Sequence, residues 1–180
     1  MKNILFLSFF VLAFAACKKE VDELPEATQT GANTFGARIN GELWTPQGFG
    51  IAPTAPTLEA SYAAQGGTIR INARNFSSSP TETEVELYLT NVSAPDTFAL
   101  NQNTQKYPNQ TGNYGYYIKR RFMPQEEWIT TSGATGSVAV TKFDTLAKII
   151  SGTFSFSAAN IYDNSQRLSI TEGRFDIRYQ

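Results

Sequence analysis

The sequence predicts an all-β fold, an antiparallel β-sandwich or half-open barrel of about ten strands. Three observations carry this expectation. Apolar and polar residues alternate with period two across most of the chain, as in Ile150-Ser151-Gly152-Thr153-Phe154-Ser155-Phe156-Ser157-Ala158, where the even positions are apolar or Gly. Turn dipeptides such as Asn40-Gly41 and Gly66-Gly67 separate the runs. No window of helical length carries a 3.6-residue apolar period, and short strands with frequent turns fit sandwiches and barrels.

The elements follow in order. Phe35, Ala37 and Ile39 alternate with Gly36 and Arg38 up to Asn40-Gly41, and a return strand carries Leu43 and Trp44 as far as Pro46. Asn-Gly is a strong hairpin signal because both turn residues must take positive φ. Residues 47–57 read as a loop. Leu58–Ala63 and Thr68–Phe76 form a second hairpin, with Ile69, Ile71 and Ala73 on one face and Arg70, Asn72 and Arg74 on the other. Glu84–Thr90 puts Val85, Leu87 and Leu89 on the buried face. Thr97–Leu100, Gly115–Phe122, Trp128–Thr131, Ser137–Phe143 and Ile149–Ala158 follow, and Arg167–Thr171 and Arg174–Tyr179 close the chain as two strands.

The start of the chain is of another kind. Met1-Lys2-Asn3, the apolar run Ile4 to Ala16 and the small residues before Cys17 match a secretion signal. The run is short for a bilayer span, which needs about 20 apolar residues. Phe14-Ala15-Ala16-Cys17 resembles a lipobox, with Phe14 where Leu is usual. The resemblance implies removal of residues 1–16 and lipidation of Cys17, whose acyl chains would hold the protein to a membrane. Cys17 is the single cysteine among 180 residues, so no intramolecular disulfide forms. The polar residues 17–33 read as the lipidated cysteine and a flexible linker, and 34–180 as one all-β domain.

Composition excludes several chemistries. Fifteen Lys and Arg against sixteen Asp and Glu give a net charge of −1, which is no footprint for nucleic acid. Histidine is absent, which removes Ser-His-Asp and Cys-His mechanisms and His-ligated zinc. No nucleotide-binding motif is present, and no cofactor or metal is expected.

Phe35-Gly36-Ala37-Arg38-Ile39-Asn40-Gly41-Glu42-Leu43-Trp44, Ile150–Phe156 and Ile170–Phe175 resemble the opening and closing strands of a group of Bacteroidota lipoprotein domains of unknown function. The charged residues Lys18, Lys19 and Glu20 after the cysteine resemble the start of lipoproteins of that group that are exported to the cell surface. The resemblance implies an outer-membrane location, the cell surface favoured over the periplasmic face, and transfers no catalytic residue.

The candidate ligand contacts lie between 101 and 128. Tyr107, Tyr114, Tyr116, Tyr117, Arg120 and Trp128, among many Asn and Gln, supply the flat rings, amides and guanidinium groups that glycan- or protein-binding surfaces use. The bland alternative is a mobile polar loop with half its tyrosines packed inward.

Glu82, Glu84 and Glu86 share one strand face at spacings of about 6.5–7 Å. Glycosidase carboxylates stand about 5–9.5 Å apart. Three acids in a row nonetheless read as a solvated or edge-guarding face. Glu126-Glu127 point to opposite faces, and Asp163-Asn164-Ser165 reads as a turn. Asp144-Thr145-Leu146 resembles the acceptor pattern for O-glycosylation of exported Bacteroidota proteins, which implies an exposed turn at Thr145.

The expectation is a non-enzymatic binding or accessory domain for glycan or envelope protein, tied to a membrane by its N-terminal lipid. A structural or assembly partner with no small ligand is the alternative, and a glycoside-active enzyme comes third.

Overall fold

The computed structural model describes residues 23–48, 56–77, 81–120 and 126–180. The signal segment 1–16, Cys17 and the charged start of the tether lie outside the described residues, as do the strand end at Phe122 and part of the 47–57 loop. The described chain is all-β and antiparallel, with eleven strands in one curled, half-barrel sheet.

The strands are β1 Thr34–Ile39, β2 Glu42–Trp44, β3 Leu58–Ala63, β4 Thr68–Asn75, β5 Thr83–Leu89, β6 Asp96–Leu100, β7 Tyr114–Lys119, β8 Glu126–Ile129, β9 Gly136–Asp144, β10 Ile149–Asn160 and β11 Arg167–Arg178. The main path runs β2-β1-β11-β10-β8-β7-β5-β4-β3, and β9 with β6 branches from β10. The branch arises because β10 is long. Its first eight residues pair with β9, and Ala159 and Asn160 pair with β8.

The path curls until its ends approach. Gln180, just past β11, donates to Ala60 O at 3.0 Å and accepts from Tyr62 N at 3.4 Å, which ties β11 to β3. Beyond β2, Gln47 bonds to Arg74 O and Phe76 N at the end of β4. Two potential edges are thus partly covered by backbone bonds.

Sequence expectations fare well in the hairpins. Asn40 and Gly41 both take positive φ, 51° and 90°, as a primed turn requires. The closing strands differ from expectation, since 167–178 is one strand. Its interruption is a bulge: three steps on β11 oppose two on both β10 and β1, and Glu172 sits at φ 53°. At Gly173 a Cβ would lie 2.5 Å from the Phe154 ring, so glycine lets that ring cross the strand.

The inward side chains form the main core. Phe35, Ile69, Ile71, Val85, Leu87, Ile150, Phe154, Phe175 and Ile177 are all buried there. Phe154 centres the aromatic packing, with the Phe35 ring at 5.1 Å and Phe156 at 6.2 Å.

The N-terminal stretch is a second departure. Composition predicts a flexible linker up to 33, yet 24–33 is fastened to the domain. Leu24 and Pro25 pack over Gly36, and Arg174 donates to Pro25 O. Asp176 on β11 is fully buried and gathers the strap. It accepts from Thr28 Oγ1 at 2.6 Å, Thr30 N at 2.9 Å, Gly31 N at 2.8 Å and Ala32 N at 3.1 Å, and from Ser151 Oγ at 2.7 Å. Burial alone would raise its pKa, but these donors hold it well below the usual carboxylate range.

Candidate functional site

The outer face of β4, β5 and β7 is where the polar residues meet. Register sets three cross-strand rows: Arg70–Tyr88–Tyr114, Asn72–Glu86–Tyr116 and Arg74–Glu84–Ile118. The inward neighbours Ile71, Val85 and Leu87 belong to the core, so period-two alternation sends these rows outward. Sequence reasoning takes such a face as solvated. Instead Glu86 is 0 % and Glu84 is 3 % exposed.

The cover is the segment 101–113, which folds back over the rows. Lys106 Nζ lies 4.3 Å from the centre of the Tyr116 ring and 3.0 Å from Glu84 Oε1. Tyr107 N donates to Tyr114 Oη at 2.9 Å, and Gln110 Nε2 donates to Tyr88 Oη at 2.7 Å. The Tyr88 and Tyr114 rings stack with centroids 5.2 Å apart. The segment is a roof, held by hydrogen bonds and by cation–π contact.

Beneath it the two carboxylates are saturated. Glu86 Oε2 accepts from Arg70 Nη2 at 2.8 Å, Arg70 Nε at 3.1 Å and Asn72 Nδ2 at 3.1 Å, while Tyr114 Oη donates to Oε1. Glu84 accepts from Asn72 Nδ2 at 2.8 Å and Lys106 on one oxygen, and from Arg120 Nη2 at 3.1 Å on the other. Burial alone would raise the Glu84 pKa, but Lys106, Asn72 and Arg120 outweigh it and lower it. Burial and the neighbouring carboxylates push the Tyr114 and Tyr116 hydroxyls well above the usual phenol range.

The candidate contacts divide accordingly. Tyr114 and Tyr116 are buried under the roof, and Tyr117 and Trp128 are buried in the main core with rings 5.6 Å apart. Burial pushes the Tyr117 hydroxyl up to about 12, with Glu126 adding to the rise. These four side chains pack and do not front solvent, which corrects their reading as a surface. Tyr107 is 49 % exposed, and Arg120 is partly exposed while paired with Glu84 and Glu82.

A further ring joins the same contact chain. Tyr162, 67 % exposed, donates to Glu127 Oε1, and Tyr116 donates to Glu127 Oε2 at 2.7 Å. Sequence reasoning misses Tyr162, Asn72 and Lys106 as site residues. The available signal is the match of Arg70, Asn72 and Arg74 against Glu84 and Glu86 on adjacent strands. Thr145 lies on the exposed β9–β10 turn, where Asp144 Oδ1 accepts from Leu146 N and Ala147 N. Asp163 likewise caps its own turn through Ser165.

Two concavities flank these features. A pocket of about 160 Å³ lies between β3 and β4, lined by Glu59, Ala60, Ser61, Arg70, Asn72 and Gln180. Asn72 Oδ1 is buried and lacks a hydrogen-bond partner among the described residues, an omission worth roughly 1–3 kcal/mol if nothing fills it. An open groove of about 370 Å³ follows β9, β10 and the β11 bulge, lined mainly by short side chains such as Ser137, Ala139, Thr153 and Ser155.

No cluster of three or more His, Cys, Asp or Glu suited to a metal occurs among the described residues. No helix among them is long and apolar enough to cross a membrane. Comparison with protein-family models, with curated protein sequences and with solved structures returned no match.

Proposed function

We propose that this chain is a lipid-anchored envelope lipoprotein whose β domain is a non-enzymatic binding module, taking a glycan through the roofed outer face. The anchor rests on the apolar run that ends at Ala15-Ala16-Cys17. Outer-membrane placement, with the cell surface favoured, and glycosylation of Thr145 rest on the resemblances described above.

One observation carries the binding reading. The face is densely hydrogen-bonded and its charges are paired, yet it leaves two tyrosine rings, Tyr107 and Tyr162, in solvent within one chain of contacts. Exposed rings on a hydrogen-bonded support, beside partly exposed Arg70 and Arg120, are what a sugar or peptide stacks against. The absence of chemistry rests on the same geometry. A general acid or base needs a proton to exchange with substrate, whereas Glu84 and Glu86 spend their lone pairs on Arg70, Lys106, Arg120, Asn72 and Tyr114.

The test is retention of the full chain on a glycan array. The wild type is expected to bind a defined subset of glycans, and Tyr107→Ala with Tyr162→Ala is expected to abolish binding with the fold intact. Absence of binding by the wild type would instead favour a structural or assembly partner of an envelope complex.

A further inference from the structure

We infer that the pocket between β3 and β4, built from Asn72, Arg70 and Ser61, binds a neutral, hydroxyl-bearing ligand unit the size of a single pyranose ring. This rests on the binding reading above and assigns it a recognition pocket and a ligand class.

The argument begins with one amide. Asn72 Nδ2 donates to both Glu84 Oε1 and Glu86 Oε2, at 2.8 and 3.1 Å. Turning the amide over would set its oxygen against two carboxylates, so its orientation is fixed. Both carboxylates come from β5. Since β4 lies between β5 and β3, Oδ1 is left on the β3 side, where the pocket opens. Asn72 is 4 % exposed, and Oδ1 has no donor among the described residues. Oδ1 itself is closed to solvent, so a ligand donor reaches this unmet acceptor by a small shift of the side chains that line the pocket.

Donors stand beside it. Arg70 spends Nε and Nη2 on Glu86, which leaves Nη1 without a partner among the described residues. The guanidinium cannot swing freely, because Tyr107 covers it with its ring centre 4.8 Å from Cζ. Ser61 on β3 faces Arg70 in register and is exposed, with a hydroxyl able to donate or accept. An acceptor, a fixed donor and an adaptable hydroxyl suit neighbouring hydroxyl groups on one small ring.

Charge selects against ions. Glu59 pairs with Arg74 at 2.9 Å, Glu86 with Arg70 at 2.8 Å and Glu84 with Lys106 at 3.0 Å. Arg70, Arg74 and Lys106 are thus already matched, so an anionic ligand gains no free positive charge and meets the Glu59 carboxylate in the pocket lining. An added cation would compete with side chains already in place. The volume, about 160 Å³, has room for one such unit, and the rest of a longer glycan would extend over Tyr107.

The experiment titrates the isotope-labelled full chain in detergent with methyl α-glucoside, methyl β-galactoside, N-acetylglucosamine and sodium glucuronate. The side-chain resonances of Asn72 and Arg70 are followed by NMR. At least one neutral sugar is expected to shift both, with glucuronate about tenfold weaker or worse. Ser61→Trp places a bulky ring at an exposed strand position, so it fills the pocket without opening the core. It is expected to weaken that sugar at least about tenfold while the spectrum stays folded. Binding that survives Ser61→Trp but is lost in Tyr107→Ala with Tyr162→Ala overturns the pocket and leaves the binding face standing. Glucuronate bound as tightly as the neutral sugars overturns the ligand class. If no sugar shifts Asn72, its oxygen is a buried acceptor that no ligand reaches and the pocket assignment falls, while retention on the array decides the broader reading separately.

Discussion

The domain buries carboxylates in two places and satisfies them in opposite ways. Asp176 sits on β11 with no cation in contact among the described residues; three backbone N–H groups and the hydroxyls of Thr28, Thr30 and Ser151 surround it. Glu84 and Glu86 sit on β5 among Arg70, Lys106, Arg120 and one amide. The first arrangement is closed. Its donors come largely from a strap more than 140 residues earlier in sequence, and its evident result is to fasten 24–33 to the last strand. The second arrangement holds up a roof and, among the described residues, leaves something over: a buried amide oxygen, an unused guanidinium nitrogen and exposed rings. A saturated centre is a fastening. A centre with unspent groups beside a pocket is a place where another molecule fits.

The largest expected effect breaks the second centre. Glu86→Ala leaves Arg70 without its partner under the roof, and loss of one member of a buried ion pair costs about 3–5 kcal/mol. Chemical denaturation of the variant checks this, and the midpoint is expected to fall with little change in slope.

Asp176→Ala comes next, at about 2–3 kcal/mol. Several charge-assisted bonds go at once, but the strap can detach and rehydrate, so the loss is less than their sum. A glutamate-specific protease is then expected to cut after Glu26, a bond protected in the wild type while the strap is docked.

Acid should weaken both centres in the same direction. Asp176 and Glu84 have pKa values lowered by folding, so the unfolded chain binds protons at a higher pH than the folded one. Their stabilisation is full above the ordinary values of 3.8 and 4.5, and is lost as pH falls from there through the lowered values. Thermal melts from pH 7 down to pH 3 are expected to show a plateau and then a decline beginning below about pH 5.

The smallest effect on stability belongs to Tyr107→Ala. Removing its partly exposed cation–π contact with Arg70 is worth about 0.5–1 kcal/mol, measured by the same denaturation. Combined with Tyr162→Ala it is nonetheless the change expected to abolish glycan retention. Stability and binding thus separate at this face, whereas at Asp176 only stability should move.

Much of this was legible in the residues, and the gaps have physical causes. Asn40-Gly41 announces its hairpin because positive φ is chemically selective. The alternation of β5 and β10 fixes which side chains share a face. Alternation also separates Tyr117 from Tyr114 and Tyr116 correctly, but it cannot say whether the outward face meets water. Here it meets residues 101–113, and that fold-back depends on Lys106 finding Glu84 across 22 positions. The β11 bulge is hidden because Glu172 takes positive φ without being a glycine. Asp176 gives no sign at all: between Phe175 and Ile177 it looks like any outward residue of an alternating strand, and its partners lie far away in sequence.

Amide hydrogen exchange on the full chain tests the distinction between the two centres most directly. In the wild type, Tyr107 N, bonded to Tyr114, and Gly31 N, bonded to Asp176, should both exchange slowly. Glu86→Ala should speed exchange at Tyr107 and leave Gly31 protected, and Asp176→Ala should do the reverse. Equal loosening of both amides by either variant, or free exchange at Tyr107 in the wild type, would contradict a roofed binding face set apart from a fastened strap.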